Sequence, residues 1–367
     1  MKSKKIRYPF FVPVTGKTER KYVDQVLRNN YLNEGDFTRI FENEIRKKLK
    51  VKYVVTTTSC TIAMFLALKA LGIKSGDEVI VPDFTFAATP NAVDLCNAKS
   101  ILADSKISDL NIDADKIKKL INRKTKAIIP VHVSGRPSNM LEIKKICRRK
   151  KIFIIEDAAE AFMSKYKGKY LGTFGEIGCF SLTASKIITS GQGGFIVTNN
   201  NSLYKKIKKL KNQGIQGGFS GGNTKHISLG YNFKYTNIQS AIALAQVKTV
   251  NQRIKKTRLI YNIYKKQLKN IPGLKVMPFD IKGGSVPLWS NIWCKKRNEL
   301  RDYLRKNNVE SRMPWYPLHT QKPYKTKKKF PNSTQIFKKH LWLPSSLTLK
   351  YKDIIYICKL IKNFYRM

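Results

Sequence analysis

The sequence predicts an α/β fold around a mostly parallel sheet, and two observations carry this. Short apolar or β-branched runs alternate with helix-like segments along most of the chain. With 367 residues and 42% hydrophobic content, there is enough material for one large domain and a smaller one with sizeable cores. TERKYVDQVLRNN (18–30) predicts a helix entered at Thr18. VKYVVTTTSCTIAMFLALKALGI (51–73) is a short strand, a hydroxyl-rich turn and an apolar helix ending at Gly72. EVIVPDFTFAAT (78–89) is a strand entering a loop, and KSILADSK (99–106) is another strand. KTKAIIPVHVSG (124–135) is a strand followed by the helical MLEIKKICRRK (140–150), and KIFIIEDAA (151–159) is again a strand. GCFSLTA (178–184) and GGFIVTNN (193–200) are two further strands flanking a loop that holds a lysine. From about residue 235 one long helix, IQSAIALAQVKTVNQRIKKTRLIYNIYKKQL (238–268), leads into a smaller α/β part. The expected division is a large domain over residues 1–250 and a smaller C-terminal domain over 251–367.

The charge is unusual: 71 Lys+Arg against 24 Asp+Glu leave a formal +47. Such a balance can mark a nucleic-acid or membrane-surface binder. Here the lysines are spread along the whole chain, mostly on the polar side of helical patterns such as LYKKIKKLKNQ (203–213). No RNA-recognition signature, zinc knuckle or basic zipper accompanies them. The reading is a lysine-biased solvated surface with no specific nucleic-acid partner, which still favours anionic small molecules through long-range attraction. Six scattered cysteines form no Cys-x-x-Cys pair and read as reduced core residues, and no metal is expected. The N-terminal apolar stretch is too short for a signal peptide, and no run reaches a membrane span. A cytoplasmic location is expected.

The segment 154–194 carries the chemistry. Asp157 follows the apolar IFII, where a buried strand should end and where ligands of open α/β sheets gather. Facing a pyridine nitrogen, such a carboxylate keeps it protonated; Asp157 equally suits a helix N-cap. Ser181 stands five residues before Lys186, which lies in ASKIITSGQGG between two apolar strands. A lysine kept from water can form a Schiff base. TTTSCT (56–61), just before an apolar helix, offers hydroxyls and backbone N–H groups to a phosphate, or simply caps that helix.

In this order and spacing, SCTIAMFLALKALGI, GDEVIVPDFTFAAT, PVHVSGRPSNMLEI, IIEDAAEA, GTFGEIGCFSLTASK, GYNFKYTNIQSAIALAQ and RMPWYPLH resemble the DegT/DnrJ/EryC1/StrS sugar aminotransferases. The likeness covers nearly the whole chain. It implies a fold-type I pyridoxal-phosphate transferase with a seven-stranded, mostly parallel sheet between helices and a smaller C-terminal α/β domain. It places the cofactor lysine on Lys186, the pyridine-nitrogen partner on Asp157 and the phosphate serine on Ser181. The phosphate turn falls on Cys60 and Thr61, the ring stacked on the cofactor on Phe86, and the cofactor's 3-oxygen contact on Glu160. Asn232 falls on a residue that reaches the phosphate from the neighbouring subunit, implying a homodimer with shared sites.

Three positions depart from the family pattern. Glu160 stands where glutamine is frequent, and a carboxylate there repels a phenolate unless protonated or turned away. Cys60 replaces a glycine, so its backbone must avoid positive φ or accept strain. Met163 replaces another. EDAAEA with KIITSG resembles the perosamine-synthase-like branch. Related sugar dehydrases carry histidine in place of Lys186, so transamination is the implied reaction. The expected donor is L-glutamate, with pyridoxamine phosphate as the carrier of the amino group. The expected acceptor is a nucleotide-linked 4-keto-6-deoxyhexose, for surface polysaccharide or glycan synthesis. Amination at C3 or of a cyclitol-type ketone is the alternative, and a non-catalytic basic binder on the same fold is a further one. Arg312 and His319 are candidate contacts for the anionic substrate, and loops such as QGIQGGFSGGNTKH (213–226) are expected to shape the acceptor pocket.

Overall fold

A computed structural model describes residues 6–215 and 224–366. After α1 (Lys17–Arg28) and α2 (Asp36–Leu49), the chain alternates through β1 (Tyr53–Thr57), α3 (Cys60–Ala70), β2 (Glu78–Pro82), α4 (Ala88–Asp94) and β3 (Lys99–Ala103). It continues with α5 (Ala114–Leu120), β4 (Thr125–Ile128), α6 (Met140–Lys150) and β5 (Phe153–Asp157). A small hairpin of β6 (Lys165–Tyr166) and β7 (Lys169–Tyr170) leads to β8 (Ile177–Ser181), β9 (Gly194–Thr198), α7 (Asn201–Lys211), α8 (Asn237–Lys248) and α9 (Val250–Gln267). The last part holds β10 (Leu274–Val276), β11 (Ser290–Cys294), α10 (Arg297–Lys306), α11 (Pro331–Lys339), β12 (His340–Leu343) and α12 (Tyr351–Arg366).

Seven strands form one sheet in the order β1-β9-β8-β5-β4-β2-β3. β9 pairs antiparallel with both neighbours, and the remaining pairs are parallel. Burial on both faces explains why these strands read as continuous apolar runs. Val54, Ile80, Ile128, Ile154, Phe180 and Phe195 belong to one core. Their immediate neighbours Val55, Val79, Ala127, Ile155, Cys179 and Ile196 belong to another, as strand alternation requires. A separate three-stranded antiparallel sheet, β10-β11-β12, has its own core of Ile260, Tyr264, Ile292, Leu300, Leu341 and Ile357. All six cysteines are free and buried, as the scattered spacing predicts.

The expected single helix over 238–268 is instead two. It breaks at Thr249 (φ −100°, ψ 5°), whose hydroxyl donates back to the Gln246 carbonyl at 3.2 Å. Threonine often bonds its own backbone in this way, at the expense of a regular helix. Among the described residues no helix is long and apolar enough to cross a membrane.

Candidate functional site

β5 and β8 are parallel neighbours in the middle of the sheet, with β4, β2 and β3 on one side and β9 and β1 on the other. Open α/β sheets take ligands beyond the carboxyl ends of their strands. Asp157 and Ser181 are the last residues of these two strands. Ser181 pairs with Gly194 at the start of β9. A Cβ on Gly194 would lie 2.6 Å from the Cys60 nitrogen, so β9, β8 and the first turn of α3 converge here only because this residue is glycine.

The first turn of α3 is capped by Ser59, whose hydroxyl accepts from the Ile62 N–H at 3.2 Å; the Ala63 N–H goes to the Ser59 carbonyl. The N–H groups of Cys60 and Thr61 have no acceptor among the described residues, which is what an anion at a helix N-terminus uses. The cap therefore leaves two N–H groups of the same turn unused. Cys60 avoids positive φ, whereas Met163 takes φ 66°, so only the second substitution keeps a glycine-like backbone. Burial, with Asp157 nearby, holds the Cys60 thiol well above its usual range and therefore neutral.

Asp157 is buried and no helix starts at it, which leaves the cap reading without support. Its Oδ2 accepts from Thr89 at 2.8 Å and its Oδ1 from the Ala159 N–H at 3.1 Å. Burial pushes this carboxyl up; the Thr89 and Ala159 donors, then Lys186 and His132, pull against it. Glu160 is also buried. Its Oε2 accepts from the Ser134 N–H at 2.7 Å and its Oε1 from Lys186 Nζ at 3.3 Å. Burial raises this carboxyl too, against the pull of Lys186. Lys186 follows β8 in the loop before β9, with its side chain only 13% exposed, and its ammonium also lies 5.2 Å from the Trp289 ring centroid. Two carboxyls held above their ordinary values beside one enclosed amine make a site poised for proton transfer.

The titration of Glu160 has a testable sign. A carboxyl raised in the folded state holds its proton there when the unfolded chain has released it, so folding loses stability as pH rises above the ordinary value of 4.5. Glu160→Gln removes that slope. Measured by thermal melting of the cofactor-free protein, the stability of the variant relative to wild type should increase with rising pH. A constant difference across the range would contradict it.

Phe86 lies in the β2–α4 loop and is 61% exposed, whereas Phe84 two residues earlier is fully buried. Phe86 is therefore not a core residue, and its ring is open to a ligand. His319 donates its backbone N–H to Asp83 Oδ1 at 2.8 Å and pairs its Nδ1 with Oδ2 at 2.7 Å, with its ring stacked on Phe330. Arg312 is half-exposed, paired with Glu310 at 3.3 Å and lying over Phe10. Neither touches Lys186 or Asp157 among the described residues. Asn232 is exposed, bridges Asn212 and accepts from Lys234 at 2.7 Å, with no contact to the Lys186 cluster. In the loop 213–226, residues 216–223 lie outside the described residues. Sequence reasoning missed Thr89, Ser134 and Trp289. Thr89 sits in the quoted EVIVPDFTFAAT, but nothing local marks its hydroxyl as a partner of Asp157.

These residues fit pyridoxal phosphate: an enclosed amine, a buried carboxyl with an inward face, and a free helix N-terminus beside a serine. Comparison with known proteins agrees. The model of the DegT/DnrJ/EryC1/StrS aminotransferase family matches residues 13–362. GDP-perosamine synthase of Escherichia coli O157:H7 is 37% identical, over 97% of this chain and 98% of that protein. The GDP-perosamine synthase of Vibrio cholerae is 33% identical, over 97% and 99%. Among solved structures, the aminotransferase TlmJ from Streptoalloteichus hindustanus superposes with a TM-score of 0.92 at 25% identity, over 97% of this chain and 98% of that one. The chain belongs to the DegT/DnrJ/EryC1/StrS aminotransferase family and is a pyridoxal-phosphate-dependent enzyme.

Proposed function

We propose that the enzyme moves an amino group from L-glutamate to the keto group of a nucleotide-linked 4-keto-6-deoxyhexose, a perosamine-type reaction serving glycan synthesis. The carrying observation is the enclosed Lys186 held by Glu160 at 3.3 Å beside the buried Asp157, in a chain that is 37% and 33% identical to two GDP-perosamine synthases. When bound, pyridoxal phosphate supplies an electron sink for charge at the carbon that loses its proton. Asp157 would lie against the ring nitrogen and keep a proton on it. The Cys60 and Thr61 N–H groups and the Ser181 hydroxyl would hold the phosphate, and Phe86 would cover one face of the ring. Lys186 would carry the proton between the two carbons that exchange it, as a general acid–base.

Glu160 keeps its carboxyl on Lys186 and the Ser134 N–H, so it meets the cofactor's 3-oxygen side with a partly satisfied, raised acid rather than a free charge. Asn232, exposed and uncommitted to its own chain's cluster, suits the phosphate site of a second copy, which supports a homodimer with shared sites. Free buried cysteines and a nucleotide-sugar acceptor favour the cytoplasm. The test is a panel of nucleotide keto sugars assayed with glutamate. Formation of 2-oxoglutarate with a 4-keto-6-deoxyhexose nucleotide supports the reading, and turnover only with 3-keto sugars or cyclitol ketones contradicts it.

A further inference from the structure

We infer that Trp289 is a positioning residue for Lys186, its indole face and Glu160 together forming a seat that holds the amine whenever it is detached from the cofactor. This rests on Lys186 being the cofactor lysine. Lys186 Nζ lies 5.2 Å from the Trp289 ring centroid and 3.3 Å from Glu160 Oε1. An aromatic face attracts an ammonium most strongly when water is excluded, and tryptophan is the best of the three rings at this. Trp289 is 5% exposed.

The indole N–H sharpens the assignment. A buried tryptophan normally spends it on an acceptor, yet Trp289 Nε1 is buried without a partner among the described residues. The ring is oriented to present its face, not its donor. Phe10 and Trp342 fix that orientation, with centroids 5.6 and 4.8 Å away. The backbone on either side is tied down, by Leu288 N–H to the Ser134 carbonyl at 3.0 Å and Ser290 N–H to Ser345 Oγ at 2.9 Å. Ser134 also donates its N–H to Glu160 at 2.7 Å. One residue of the loop after β4 therefore anchors both halves of the seat, Glu160 through its N–H and the backbone next to Trp289 through its carbonyl.

The test compares wild type, Trp289→Phe and Trp289→Leu. Cofactor-free protein is mixed with pyridoxal phosphate, quenched with borohydride at successive times, and the cofactor fixed on the Lys186 peptide is quantified by mass. Steady-state constants are measured in parallel, and melting curves confirm folding. Trp289→Leu should slow fixation on Lys186 and lower kcat, each about tenfold, with KM for the keto sugar little changed. Trp289→Phe, which keeps a ring face, should recover to within about threefold of wild type. Wild-type fixation rates in Trp289→Leu, or equal impairment in both variants, would overturn the inference. No fixation on Lys186 in the wild type would instead overturn the functional reading beneath it.

Discussion

Lys186→Ala should lower kcat for amination at least about 10,000-fold while the protein folds and still holds pyridoxal phosphate without covalent attachment. Two contributions disappear together. On the proposed function the enclosed amine both tethers the cofactor and moves the proton as acid–base, and the second role alone is worth about 100- to 10,000-fold. Among the described residues no other lysine has an ion pair with a carboxylate as buried as Glu160; the next is Lys106 with the more exposed Asp113. Loss of the visible absorbance of the lysine-bound cofactor, together with loss of turnover, is the expected measurement. Substantial residual amination would show that the proton is carried elsewhere.

Asp157→Asn is expected to have the second largest effect, about a 1,000-fold loss in kcat. With its oxygen in the Oδ1 place the amide still accepts from the Ala159 N–H, and its NH2 in the Oδ2 place donates to the Thr89 hydroxyl, so the local geometry survives. What it cannot do is hold a proton on a ring nitrogen by charge. Because burial raises the native carboxyl, the neutral amide should not destabilise the cofactor-free protein at neutral pH. Activity and melting temperature should thus separate, with turnover collapsing and the melt unchanged or higher. A parallel loss of both would mean that Asp157 acts through structure.

Much of this site is legible in the sequence because its parts lie at strand ends. The apolar IFII run announces β5 and so places Asp157. Two further runs, GCFSLTA and GGFIVTNN, enclose the lysine loop and place Lys186 and Ser181. The hydroxyl-rich turn before α3 is visible for the same reason: local residues make it. What was not legible depends on contacts between distant segments. Trp289 reaches Lys186 only through the packing of the C-terminal part against the Ser134 loop, and no periodicity encodes that approach. Thr89 meets Asp157 across adjacent layers of the fold. Phe84 and Phe86 look alike in PDFTF, yet one fills the core and the other stands open, because the chain has left the strand there and alternation no longer sorts them. The break at Thr249 was likewise hidden, since both halves share helical composition.

Among 71 lysines and arginines, one amine is assigned the covalent chemistry. Borohydride reduction of the purified, cofactor-loaded enzyme, followed by peptide mapping, tests that assignment directly. A single phosphopyridoxyl adduct is expected, on the peptide carrying Lys186. An adduct on any other lysine, or none at all, would contradict it.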